Sequence, residues 1–150
     1  MTNKQKRIQK VIVHREKELD QRVVELGKAR VETERAESAV ESERQKLDKA
    51  AAERDAMSER SMSAREWREA NEWLHSRSLS HQVVTRELDQ ATVKLEQSQA
   101  NVLTARRALK GVELVDERMK TEERKAEERA DQKLSDAFAQ NIVTRGKAKP

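Results

Sequence analysis

The side chains in this sequence that could hold a metal ion or move a proton are His14, His75 and His81 and a large set of carboxylates. A helical metal site needs ligands on one face, four residues apart, and no pair of these histidines has that spacing. Carboxylates come in adjacent pairs, as at Glu122-Glu123 and Glu127-Glu128. General acid–base work would need a concave, desolvated pocket to shift their pKa values. Phosphate binding needs a Gly-rich loop, whereas Gly27, Gly111 and Gly146 stand apart. The chain has no Cys, which excludes thiolate metal sites and disulfides. These residues predict no catalytic site, no cofactor and no metal, and therefore a protein that is not an enzyme. What remains suits contact. Trp67 and Trp73 are the tryptophans of a chain that has one Phe and no Tyr. Bases gather at the start (Lys4, Lys6, Arg7, Lys10, Arg15, Lys17) and in the tail (Arg145, Lys147, Lys149).

The elements that must carry these residues follow from a heptad pattern. Ile12, Leu19, Leu26, Thr33, Val40 and Leu47 recur every seven residues, and Ile8, Ala29, Ala36, Ala50 and Met57 occupy the second seam position. Leu74, Leu88, Leu95, Val102 and Leu109 repeat the first series further on, while Ala70, Val84, Ala91, Ser98, Ala105, Val112 and Met119 repeat the second. A stripe of period 3.5 can be hidden only against another helix, so the pattern predicts an all-α coiled coil. Composition agrees: 40% of residues are charged, 35% hydrophobic and 2% aromatic, leaner in large apolar groups than a globular domain of this length. Low hydrophobicity with high charge is also the signature of disorder. Disorder does not account for two stripes sustained for about six repeats each.

The pattern breaks at Met57-Ser58-Glu59-Arg60-Ser61-Met62-Ser63. Ser63 followed by Glu66 has the form of a capping box at a helix start. The reading is a single α-helical hairpin: helix one over about 4–57, a turn over about 58–62, a longer helix two over about 63–142 and a basic tail, 143–150. One loop over Ser58–Ser80 is the alternative, but Trp67, Ala70, Leu74 and His81 keep helical spacing and favour the tight turn. Folding near residue 62 sets Ala50 against Leu74, Ala36 against Leu88, Ala29 against Leu95, Leu26 against Ser98 and Leu19 against Ala105, large against small. It also sets Glu43 against His81 as a polar layer. A second register, folding near residue 69 through a longer loop, pairs Arg22 with Asp116 and Arg15 with Glu123. Both registers satisfy the pattern.

In the tight register helix two outruns helix one, leaving roughly 117–142 as an overhang. At about 1.5 Å per residue, helix two extends for about 120 Å and its paired part for about 80 Å, a slender rod. Leu134, Ala137, Phe138, Ile142 and Val143 form an apolar stripe there, either held by something else or folded against Ile8, Val11, Ile12 and Val13. Gly27 and Gly111 fall outside the seam as tolerated surface glycines. At the apex, the expectation is that Trp67 caps the seam against Met57 and Trp73 is exposed. Net charge is +4, from 32 bases against 28 acids. Along most of the chain the signs alternate, as in Glu122-Glu123-Arg124-Lys125-Ala126-Glu127-Glu128-Arg129. Nucleic-acid binding would call for a one-signed stripe with stacking aromatics, so no nucleic-acid partner is expected. No apolar run reaches the roughly 20 residues of a membrane span and no signal-peptide core follows Met1, which predicts a soluble, cytoplasmic protein without membrane insertion.

A Cys-free antiparallel hairpin that starts with Arg7-Ile8-Gln9-Lys10-Val11-Ile12 and bears aromatics near its middle resembles the FliJ/YscO family, the central stalk proteins of flagellar and injectisome type III secretion. The C-terminal run carries the resemblance furthest: Ala108-Leu109-Lys110-Gly111-Val112-Glu113-Leu114-Val115-Asp116-Glu117-Arg118, the Glu-Arg repeats, then Asp131-Gln132-Lys133-Leu134-Ser135-Asp136. The likeness covers essentially the whole chain. It implies a bacterial, monomeric stalk whose paired ends enter the hexameric export ATPase and whose hairpin side reaches the cytoplasmic ring of the export gate, promoting ATPase activity and export. Some relatives also bind secretion chaperones. On this reading Lys4, Lys6, Arg7, Lys10, Arg118, Arg124 and Arg129 are expected to contact the ATPase ring. Trp67, Ala70, Trp73, Leu74 and His81 are expected to contact the gate or a chaperone, with Ala70, Leu74 and His81 matching the family's spacing. Arg77 stands where the family has a small residue, and helix one lacks Tyr; these departures lean toward an injectisome member. The competing function is a cytoplasmic scaffold or adaptor that oligomerises through the same seam.

Overall fold

In a computed structural model that describes residues 2–147, the chain forms two helices, α1 (Asn3–Ser58) and the longer α2 (Ala64–Lys147). The all-α fold predicted from the heptads is the one observed. Each helix begins on a side-chain cap. At α1, Thr2 and Gln5 satisfy one another: the Thr2 N–H donates to Gln5 Oε1 at 2.9 Å, and the Gln5 N–H to Thr2 Oγ1 at 3.3 Å. At α2, Ser63 Oγ accepts the Glu66 N–H at 3.2 Å. The C-terminal turn of α1 closes with the Ser58 hydroxyl donating to the Asp55 carbonyl at 2.7 Å, and α2 starts at Ala64, so no loop spans Ser58–Ser80. At its far end α2 continues past Ile142 to Lys147, through part of the segment read as a tail; Lys149 lies outside the described residues. Inside the helices, threonine hydroxyls are satisfied locally, as Thr85 donates to the His81 carbonyl and Thr92 to that of Leu88.

The chain divides into two compact units. The unit Glu18–Ala105 is an antiparallel helical hairpin. Its register is visible in two contacts across the seam. The Thr33 hydroxyl, bonded to the Ala29 carbonyl at 2.9 Å, also reaches the Ala91 carbonyl at 3.4 Å, and Arg77 Nη1 lies 3.9 Å from Glu43 Oε2. Thr33 opposite Ala91 belongs to the register that folds near residue 62. Ala29, Ala50 and Ala105 are among the most buried residues, while Leu74, Leu88 and Leu95 are half-buried. This is the large-against-small layering expected: two helices cover a small side chain completely and a large one only on its inner side. The polar layer is corrected in one respect. Glu43 pairs with Arg77, one turn before His81 on the same face, and with Lys46 at 3.4 Å, because Arg77 carries a full charge on a longer stem.

The other unit comprises Met1–Lys17 and Arg106–Pro150. Here too the segments run antiparallel: Gln5 Nε2 donates to Glu123 Oε2, and Gln9 Nε2 donates to Asp116 Oδ2 at 3.3 Å. Ile12 and Asp116 are buried. The register that folds near residue 69 is not adopted, since Asp116 is taken by Gln9 and by Lys120 at 2.9 Å, and Arg22 pairs with Glu25 at 3.1 Å. Hydrogen bonding to Asp116 holds the Lys120 ammonium above the usual lysine range. From Arg124 to Lys147 every residue is exposed. The apolar stripe of Leu134, Phe138, Ile142 and Val143 therefore does not fold against Ile8, Val11, Ile12 and Val13.

Added Cβ atoms at Gly27 and Gly111 would meet nothing within 4 Å. Gly27→Ala and Gly111→Ala should each raise stability by about 1 kcal/mol, the helix-propensity difference, in chemical denaturation. A loss at either position would reveal a close approach there. Paired labels at Ala36 and Leu88 should report a short distance within one molecule, and a long one would refute the pairing of these residues.

Candidate interaction surfaces

In the hairpin unit both indoles, near the turn, are exposed. Trp67 is 43% and Trp73 53% exposed, so the expected division into one capping and one exposed tryptophan does not hold. The seam between two helices is too narrow to take an indole. Trp67 instead lines a surface groove with Ala64, Asn71 and His75. Ala70, Leu74 and His81, which share a candidate contact surface in the sequence reading, are half-buried at seam positions. Trp73, one residue from the seam, is the member of that set standing in the open between two grooves. One, of about 210 Å³, has Ala50, Met57 and Ala70 along its floor and Glu53, Glu66 and Glu69 at its rim. The other, of about 300 Å³, is bordered by Lys46, Lys49 and Arg77. Arg54 also lines the first groove, and Glu53 borders both, so each groove mixes the two signs of charge.

Sequence reasoning named Glu43 and Arg77 in other roles and missed their link to Trp73. The Arg77 guanidinium lies 4.6 Å from the indole centroid and pairs on its other side with Glu43. The signal was available: a Trp four residues before an Arg on one helix brings ring and cation together, and an Arg at a seam position needs an acid across the seam.

In the terminal unit, Lys4, Lys6, Arg7 and Lys10 are all exposed, as are Arg118, Arg124 and Arg129. The first turn of α1 holds no acidic residue. The positive end of the helix dipole and the lysines there are of one sign, an arrangement that favours an anionic neighbour. Arg124 is engaged by Glu128 at 3.8 Å, a surface pair worth a few tenths of a kcal/mol. Among the described residues no group of His, Asp and Glu could hold a metal ion, and no helix is long and apolar enough to cross a membrane. The geometry presents exposed charged and aromatic side chains at the surface.

The family model described as Flagellar FliJ protein matches residues 4–148. The matching family is thus the flagellar one, against the lean toward an injectisome member drawn from Arg77 and the missing Tyr. No curated protein and no solved structure matches the chain.

With Trp67→Phe and Trp73→Phe as single-tryptophan variants, both remaining indoles should emit at solvent-exposed wavelengths and be quenched by acrylamide. A shielded, blue-shifted Trp67 would contradict its placement outside the seam.

Proposed function

The chain belongs to the flagellar FliJ protein family, part of the type III export machinery, and on that premise we propose that it is the central stalk of a bacterial export apparatus. In this reading it works in the cytoplasm, links the hexameric export ATPase to the cytoplasmic ring of the export gate, and promotes ATPase activity and protein export without catalysing a reaction itself. Secretion chaperones form a second class of partner. The observation that carries the reading is the family match over residues 4–148. Two local features support its details.

The first is the one-signed start of α1, where Lys4, Lys6, Arg7 and Lys10 are exposed and the first turn holds no acidic residue. An acidic lining inside an ATPase ring would complement it, and Arg118, Arg124 and Arg129 are exposed on α2 among carboxylates of opposite sign. The second is the exposed Trp73 face, joined by Trp67, with Ala70, Leu74 and His81 beneath it as its seam-side support. Tryptophan supplies a large, stiff apolar contact, and such residues dominate binding energy at interfaces. A scaffold oligomerising through the seam would need those same seam positions, and within Glu18–Ala105 they are covered by the chain's own facing helix.

Reversing charge at Lys4, Lys6, Arg7 and Lys10 should reduce stimulation of the export ATPase severalfold, and unchanged stimulation would remove the assignment of this segment to the ring. Trp73→Ala should weaken binding of the gate's cytoplasmic domain with helicity intact. Leu74→Ala should also cost roughly 1–3 kcal/mol of stability, because Leu74 is a seam residue.

A further inference from the structure

We propose that Arg77 is a positioning residue for Trp73, itself fixed from the opposite helix by Glu43, so that the indole stands on the surface as a preformed anchor for an apolar side chain of the export gate's cytoplasmic domain. The inference rests on the reading of the Trp73 face as a contact surface. Its starting point is that Arg77 and Glu43 occupy seam positions, where the repeat otherwise places apolar or small residues. Their side chains are 22% and 17% exposed, and their closest approach is 3.9 Å. Burying an ion pair brings little or no net stability compared with well-packed apolar residues. This pair is not tuned for stability either: Glu43 Oε2 and Arg77 Nε are buried without a hydrogen-bond partner. Something other than the strength of the seam accounts for where the guanidinium lies.

What the guanidinium does is visible on its other side. Arg77 follows Trp73 by one helical turn, and its guanidinium carbon lies over the indole at 4.6 Å from the centroid. Lysine, a compact and strongly hydrated charge, would not present a flat surface to the ring. The indole is thereby supported on one face while 53% of the residue is open to solvent. The groove on the turn side offers the apolar floor of Ala50, Met57 and Ala70 beside it. A side chain entering there would meet a ring already held in place. Less rotamer freedom is then lost on binding, which is how preorganisation raises affinity. Glu43 completes the arrangement by tethering the guanidinium from α1, so the pose of a residue on α2 depends on both helices being in register.

The test uses the full chain in a Trp67→Phe background, which leaves Trp73 as its tryptophan. Time-resolved fluorescence anisotropy reads the local motion of the indole, and circular dichroism follows helicity. Arg77→Ala and Glu43→Gln should each enlarge the fast, local component of the decay. Arg77→Lys should restore part of the order lost in Arg77→Ala. Affinity for the export gate's cytoplasmic domain should fall about fivefold to tenfold in Arg77→Ala while helicity is retained. A merely structural pair would lower the melting temperature and leave the Trp73 anisotropy unchanged, and that result overturns the proposal whatever happens to binding. If Arg77→Ala fails to fold, Glu43→Gln decides alone, since it keeps the size of the side chain and removes only its charge. Should the indole loosen as expected while the gate domain binds neither the parent chain nor any variant, the positioning role stands and the contact reading of this face falls.

Discussion

The narrowness of the space between two α-helices governs this molecule. A side chain pointing along the line between two axes can be fully covered only when it is small, because a larger one must lean out past its neighbour toward solvent. The most buried residues of the hairpin unit are accordingly alanines, Thr33 and Val102, while leucines at equivalent positions are half-covered. A fold built this way has no interior in which to desolvate a reacting group. The grooves beside Trp67 and Trp73 lie at the surface between neighbouring side chains.

The same narrowness makes polar seam residues consequential. An apolar seam of period seven tolerates a slip by one heptad, since every large residue finds another stripe to lie against. Thr33 reaching the Ala91 carbonyl, Glu43 facing Arg77 and Asp116 receiving Gln9 are interactions that a slip would break. Each costs some burial energy and returns specificity, the exchange known from coiled coils that carry a polar residue in the seam. The helical surface around them is held by many short-range pairs such as Glu41 with Arg44. Hydrogen bonding from Arg44 holds the Glu41 carboxyl below the usual carboxylate range. That contribution is present above the unfolded carboxylate pKa and disappears as acid lowers the pH through the depressed one.

Some of the large apolar groups lie outside the seam. Trp73 on the hairpin and the Leu134–Phe138–Ile142 stripe on α2 are exposed in a chain that has few large apolar residues to spare. Exposed apolar groups of this size are the kind of feature that marks interaction sites, while charges of alternating sign cover much of the remaining surface.

The heptads determined the helices, their antiparallel return and the small-against-large layers, because periodicity is a local property written along the chain. Ser63 marked the start of α2 for the same reason, and the Thr2–Gln5 cap was equally legible though it was passed over. The exposed bases of α1 could be placed from sequence too, since a side chain off the seam has nowhere to go but water. Between two registers the sequence was undecided, as both satisfied one and the same pattern. The contacts of Thr33 with Ala91 and of Gln9 with Asp116 chose, since hydrogen bonds are sensitive to distances that periodicity does not encode. Tertiary structure alone decided that Glu43 takes Arg77 rather than His81, that neither indole enters the seam and that the far end of α2 remains uncovered. These outcomes depend on side-chain reach and volume across a gap between helices, and a linear pattern of residue types holds no measure of that gap.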